Sequence, residues 1–354
     1  MIDTIEKVIP YISGLWTLPW IVVGFLMTLA LSKWLGKDRV DAGMKKVGFL
    51  LLFVFIPLLL FRIFLNIGFG SEELRFASLT FVVLTFMYLI SYLFGYLEVR
   101  KIGLTGVERR TFIKTVLTNQ GRSAAFVGGI MLSIQEWRVP AAIYISIVGI
   151  GLFAIIPYML SMMHNRENQG REKVTTLPGF LRLYPWYLLS FVIAAVIIHR
   201  STGITVVDLG DAGTILHFIT ALTIPAGLYY VGAGIDPKDL KLTEMKKLFS
   251  LTGGSPSERE FHWSVARNAF FTTLIATPLA IVLVFGSLMY MNLIPKEWFA
   301  VIALNSVMPI TSTNMFLIPY GIDRKGTALA ITWTTIIAVP ALMLLIPAFV
   351  SLFT

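Results

Sequence analysis

The sequence predicts an all-α membrane protein: ten transmembrane helices arranged as a 5+5 inverted repeat, with helices four and nine broken and crossing. Three observations predict it. The chain of 354 residues is 56% hydrophobic and 14% charged, with a mean hydropathy of +0.78, whereas soluble domains carry about 25% charge. Lys and Arg concentrate in alternate connections between apolar runs. The proline and polar interruptions of those runs recur at corresponding places in the two halves.

Taken in order, charge-poor apolar runs fall at 17–35, 47–67, 76–97, 112–134, 139–162, 180–199, 213–235, 265–293, 297–320 and 326–352. A spanning helix needs about 20 apolar residues to cross roughly 30 Å of hydrocarbon. Ten such runs leave only short connections, so a large soluble domain has no room. Residues 1–16 carry Asp3, Glu6 and Pro10 without a basic start, which reads as an interfacial lead-in rather than a signal peptide. The organisation expected is a first five-helix repeat over 1–162, a cytoplasmic linker over 163–179 and a second, inverted repeat over 180–354. The loop 236–264, with its stretch TGGSPSERE, reads as a solvated face near headgroups, with a regulatory or partner site as the alternative.

Orientation follows from the basic residues, because positively charged loops stay cytoplasmic. The odd-numbered loops, counted with the span edges that carry Lys33, Lys114, Arg182 and Arg267, hold 22 Lys and Arg, the amino-terminal segment and even-numbered loops hold 5, and Arg62 and Arg122 lie deeper inside proposed spans. Alternate assignment this uneven demands an even helix count with both termini outside, in a multi-pass protein of the plasma membrane. The net charge of +9 is thereby read as topology, with no nucleic-acid partner. The absence of cysteine excludes disulfides, thiolate metal sites and cysteine nucleophiles, and His164, His199, His217 and His262 make no ligand pair at helical spacing. No metal or cofactor is expected. No GxxxxGK[ST] segment supplies ATP drive, and no Ser–base pair or paired acids appear in the spans, so the chain does not read as an enzyme.

Five helices per half force the second half to run upside down. Helix two reads FVFIPLLLF around Pro57, and helix seven reads TALTIPAGLYY around Pro225; helix four is broken by TNQGRS (118–123) and helix nine by NSVMPITSTN (305–314). Interrupted segments at matching positions of two halves point to a substrate site at the bilayer midplane. Unwound peptide groups are costly in hydrocarbon and persist only inside protein or against a wet cavity. The helix-break residues are thus Pro57, Gly121, Pro225 and Pro309, while Pro157, Pro278 and Pro340 are expected to kink their helices. Asn119, Gln120, Ser123, Asn305, Ser306, Thr311, Ser312, Thr313 and Asn314 supply neutral donors and acceptors for a substrate, some of them capping the interrupted ends. Tyr229 either edges the cavity or packs as an interfacial aromatic. Arg62, near the outer end of helix two, snorkels. Arg122, inside a broken span, is a functional signal by default. Three roles are open to it: a bidentate counter-charge for a carboxylate, an internal cation in place of a coupling sodium ion, or a structural group satisfying the carbonyl ends of the crossing helix.

The stretch 308–349, with Met308-Pro309, Tyr320-Gly321, Asp323, Thr334-Thr335 and Pro340, resembles the last two helices of the auxin efflux carrier family. IPAGLYYVGAGIDPKDLKL (224–242) is similar to that family's seventh helix, and LTNQGRSAAFVGGIML (117–132) to its fourth. The chain departs from the family's Asn-Thr-Gly-Asn pattern in helix four, reading Asn119-Gln120-Gly121-Arg122-Ser123 with no proline, and carries no Asp or Glu in mid-span. The resemblance implies the ten-helix fold shared with sodium-bile acid symporters and a secondary transporter moving a small organic anion, a carboxylate, by alternating access. The partners implied are a small anionic substrate and the lipid bilayer, with a homodimer compatible. Coupling to Na+ or H+ is left open, and a sodium-coupled symporter of the bile acid type is the alternative.

Overall fold

The structure, a computed structural model, describes residues 20–66, 70–123, 131–167, 179–233, 248–249, 258–311, 314, 317–318 and 320–353. The amino-terminal lead-in, Ser312, Thr313 and most of the two long loops lie outside the described residues. The helices are α1 (Trp20–Leu35), α2 (Lys37–Leu50), α3 (Ile56–Leu65), α4 (Ser71–Ile102), α5 (Gly106–Thr118), α6 (Arg138–Ile150), α7 (Ile156–Glu167), α8 (Gly179–Thr202), α9 (Asp211–Ala221), α10 (Thr223–Ala233), α11 (Glu258–Phe271), α12 (Thr277–Tyr290), α13 (Lys296–Ser306) and α14 (Arg324–Phe353). The described residues contain no β-strand. Among the described residues four helical stretches are long and apolar enough to cross a membrane: Lys37–Leu65, Ser71–Ile102, Phe261–Tyr290 and Arg324–Phe353. Val22–Leu35, Arg138–Ile150 and Trp186–Thr202 are shorter apolar helices.

Each apolar run of the sequence contains helix, and several helices overrun their runs. The second begins at Lys37 rather than 47 because KDRVDAGMKK, too charged for a hydropathy window, still holds good helix formers. The larger departure concerns proline. Pro57 does not break its helix. Over Leu51–Phe55 the ladder widens to a five-residue hydrogen bond, Ile56 N–H donating to Leu51 O, and the α-helix then resumes. Proline lacks an N–H and its ring would strike the carbonyl four residues back; one extra residue in the turn removes the clash, as in π-bulges generally. The freed carbonyl of Phe53 accepts the Tyr187 hydroxyl at 2.6 Å.

The same device recurs at Gly151–Ile155 ahead of Pro157 and at Thr272–Ala276 ahead of Pro278. Pro340 lies inside an uninterrupted α14. The Pro225 break is a one-residue interruption at Leu222 between α9 and α10, with Ala226 N–H still bonded to Leu222 O at 3.1 Å.

The chain divides into two compact units, each drawing on both sequence halves. One comprises Met1–Ser78, Ala124–Ser146 and Leu183–Ile235. In it α10 packs along α1, and α9 against α3. The α1–α10 contact is backbone-close: a Cβ on Gly24 would collide with the Tyr229 carbonyl. Arg62 reaches α9, donating to His217 O at 3.3 Å. The other unit comprises Leu79–Ser123, Ile147–Arg182 and Asp236–Thr354. Its core gathers Trp263, Ala266, Ala269 and Phe270 of α11 against Ile310 and against Leu329, Ala330 and Trp333 of α14. A second cluster joins Val99, Phe112, Ile113 and Val116 to Val265. Ser91 of α4 donates to Val116 O at 3.0 Å, and Glu98 pairs with Arg267 at 3.3 Å.

Candidate functional site: two unwound segments paired inside one unit

Both interrupted segments belong to the second unit, and they meet. The helix α5 closes with tightened turns, Gln120 N–H to Leu117 O and Gly121 N–H to Thr118 O, both at 3.1 Å. The helix α13 closes likewise, Val307 N–H to Leu304 O and Met308 N–H to Asn305 O, both at 3.2 Å. Beyond these ends the backbones run extended and antiparallel, forming an isolated bridge between Arg122 and Ile310. Ser123 N–H donates to Pro309 O and Thr311 N–H to Gly121 O, each at 2.9 Å. Ile310 N–H is taken by the Thr334 hydroxyl of α14 at 3.2 Å. These peptide groups outside the helices are therefore paired, as a low-dielectric interior demands. Gly121 permits the approach, since a Cβ there would meet a Leu152 methyl and Asn314 Oδ1.

Arg122 is 1% exposed. Its Nε donates to Ser306 O at 3.3 Å, one terminal nitrogen to Gln120 O at 3.1 Å and to Thr273 Oγ1 at 3.4 Å, and the other to Gln120 Oε1 at 3.1 Å. These acceptors are neutral protein oxygens. Gln120 completes the cluster through its amide nitrogen to Thr273 Oγ1 and by accepting the Thr277 hydroxyl, both at 3.4 Å.

Asn119 and Asn314 meet beside the paired segments. Asn314 Nδ2 donates to Asn119 Oδ1, and Asn119 Nδ2 to Thr327 Oγ1 of α14, both at 3.4 Å. Asn314 Oδ1 is buried and has no hydrogen-bond partner among the described residues. Asn305 and Ser306 bond back into their own helix, to Val301 O at 2.7 Å and Ala303 O at 2.6 Å. Ser123 and Thr311 are buried beside the bridge. The structure thus brings together Asn119, Gln120, Gly121, Arg122, Ser123, Ser306, Pro309, Thr311 and Asn314. Tyr229, Pro57 and Pro225 belong to the other unit.

Four groups were not singled out as site residues from the sequence, and two of them bond into the cluster around Arg122. Thr273 and Thr277 reach it from the widened turn of the eighth predicted span and from the start of α12; their signal is a pair of threonines ahead of Pro278 in an otherwise apolar run. Lys114, assigned to a loop by charge, is 2% exposed within α5 and donates to Tyr320 O at 3.4 Å. Asp323 caps α14, accepting from Gly326 N–H at 3.1 Å and pairing with His262 Nδ1 at 2.7 Å. Among the described residues no three His, Asp or Glu side chains gather as a metal site.

The chain matches no protein-family model and no curated protein.

Proposed function

We propose that the protein is a secondary transporter of the auxin efflux carrier type, an integral protein of the plasma membrane that moves a small organic anion by alternating access. The reading takes ten spans in a 5+5 inverted repeat with both termini outside. The observation that carries it is the antiparallel pairing of two unwound, polar, buried segments inside an apolar all-helical unit, the arrangement that secondary transporters use to hold cargo at the midplane. The composition of the two units supports the duplication. The first two predicted spans of each half contribute to one unit and the third, eighth, ninth and tenth spans to the other, while spans four and five are divided between the units at 123/124 and 146/147.

The cargo is held by amides rather than by the arginine fork. Arg122 donates to protein oxygens, so its charge acts on an anion through its field in a low-dielectric interior. Asn119 and Asn314 joined by one 3.4 Å bond can each turn an oxygen or an NH2 group toward a ligand. A carboxylic acid or its anion answers that pair. Movement of the unit bearing the crossing relative to the other would carry the cargo across.

The test is a melting screen of purified protein with small mono- and dicarboxylates, with and without sodium, since a ligand of the native state raises its melting temperature. At least one acid should raise it without sodium, and Asn314→Ala should lose that shift while melting normally unliganded. No shift with any acid, or an equal shift in Asn314→Ala, contradicts the proposal. A shift seen only with sodium would favour the bile acid type of symporter.

A further inference from the structure

The oxygens around Arg122 form a recognisable donor set. Two are backbone carbonyls where helices end, Ser306 O at the last residue of α13 and Gln120 O just beyond α5; the others are the Gln120 side-chain amide and the Thr273 hydroxyl. Helix carboxyl ends carry about half a negative charge each. Unwound carbonyls and half-helix carboxyl ends are what coordinate Na+ in broken-helix carriers, and hard cations in general prefer neutral and anionic oxygen ligands. The cluster is a cation site by chemistry, and it is filled by a guanidinium tethered two residues from one of its own ligands.

We propose that the oxygens of Ser306, Gln120 and Thr273 constitute a monovalent-cation site whose resident ion is the Arg122 guanidinium, so that the protein works without a coupling metal ion and exposes that site when the guanidinium is removed. This deepens the transporter reading and rests on it for its meaning, though the site itself is tested without transport. A tethered cation cannot be exchanged with either side of the membrane. Its charge is present in every state of the cycle, and the sodium gradient has nothing to load. A guanidinium serving only to tie loops together would share the hydrogen bonds but would leave no cation-selective vacancy behind it.

The experiment is the melting temperature of wild type and Arg122→Ala in detergent, titrated with sodium, lithium, guanidinium and choline chlorides at matched ionic strength. The wild type should respond to all four salts alike. Arg122→Ala should melt lower and recover at least half of the loss, saturably, with sodium or with low-millimolar guanidinium but not with choline. Equal response of Arg122→Ala to every salt, or a sodium-specific rise in the wild type, overturns the proposal. If Arg122→Ala does not fold, Arg122→Gln is read by the same titration and by the same outcomes. Cation recovery without any carboxylate-induced shift would leave the resident-cation site standing and discard the transporter reading alone.

Discussion

Two kinds of helix interruption among the described residues differ sharply, and the contrast shows what an interruption is for. At Pro57, Pro157 and Pro278 the helix widens by one residue and continues. At Pro57 the released carbonyl is satisfied by one tyrosine hydroxyl. Where the two segments pair, the backbone leaves the helix altogether, and its groups are satisfied by the other segment, by Thr334 and by a buried guanidinium. Proline by itself therefore does not unwind a helix: it follows a widened turn at three positions, and at Pro340 the helix runs on uninterrupted. Complete unwinding coincides with glycine, short polar side chains and a partner segment with complementary backbone groups.

That contrast can be broken at either kind of site. Gly121→Ala places a Cβ against Leu152 and Asn314 Oδ1 and should cost about 1–3 kcal/mol by overpacking, read as a lowered melting temperature; an unchanged value would mean that the segments are not held so close. Tyr187→Phe removes the donor from the Phe53 carbonyl and should cost about 1 kcal/mol. Combined with Pro57→Ala, which restores an N–H, the cost of Tyr187→Phe should shrink. A cost that persists would detach the hydroxyl from the widened turn.

Much of this architecture was legible in residue order. The runs TNQGRS and NSVMPITSTN marked the two segments that leave the helix, because clustered Asn, Ser, Thr and Gly favour side-chain-to-backbone bonds over the helical ladder. The prolines were legible too, but not their surroundings: the Phe53 carbonyl released ahead of Pro57 accepts from Tyr187, 134 residues away in sequence. Arg122 stood out as an anomaly, yet its acceptors on α13 and at Thr273 are 184 and 151 residues distant. No local pattern reports such distances. Lys114 was misassigned for a related reason, since charge counting treats a lysine as a loop marker and cannot see the Tyr320 carbonyl that receives it.

The central claim is that the two unwound segments pair antiparallel. Ser123 and Pro309 lie opposite one another beside the Arg122–Ile310 bridge, where hydrogen-bonded antiparallel positions have Cα atoms about 5.5 Å apart, within disulfide range. The chain has no cysteine, so Ser123→Cys with Pro309→Cys can be oxidised without background and the linked peptides read by mass spectrometry. Linkage should be rapid and near-complete, with Arg122 intact. Linkage no faster than that of a Ser123→Cys, Val301→Cys control would contradict the pairing.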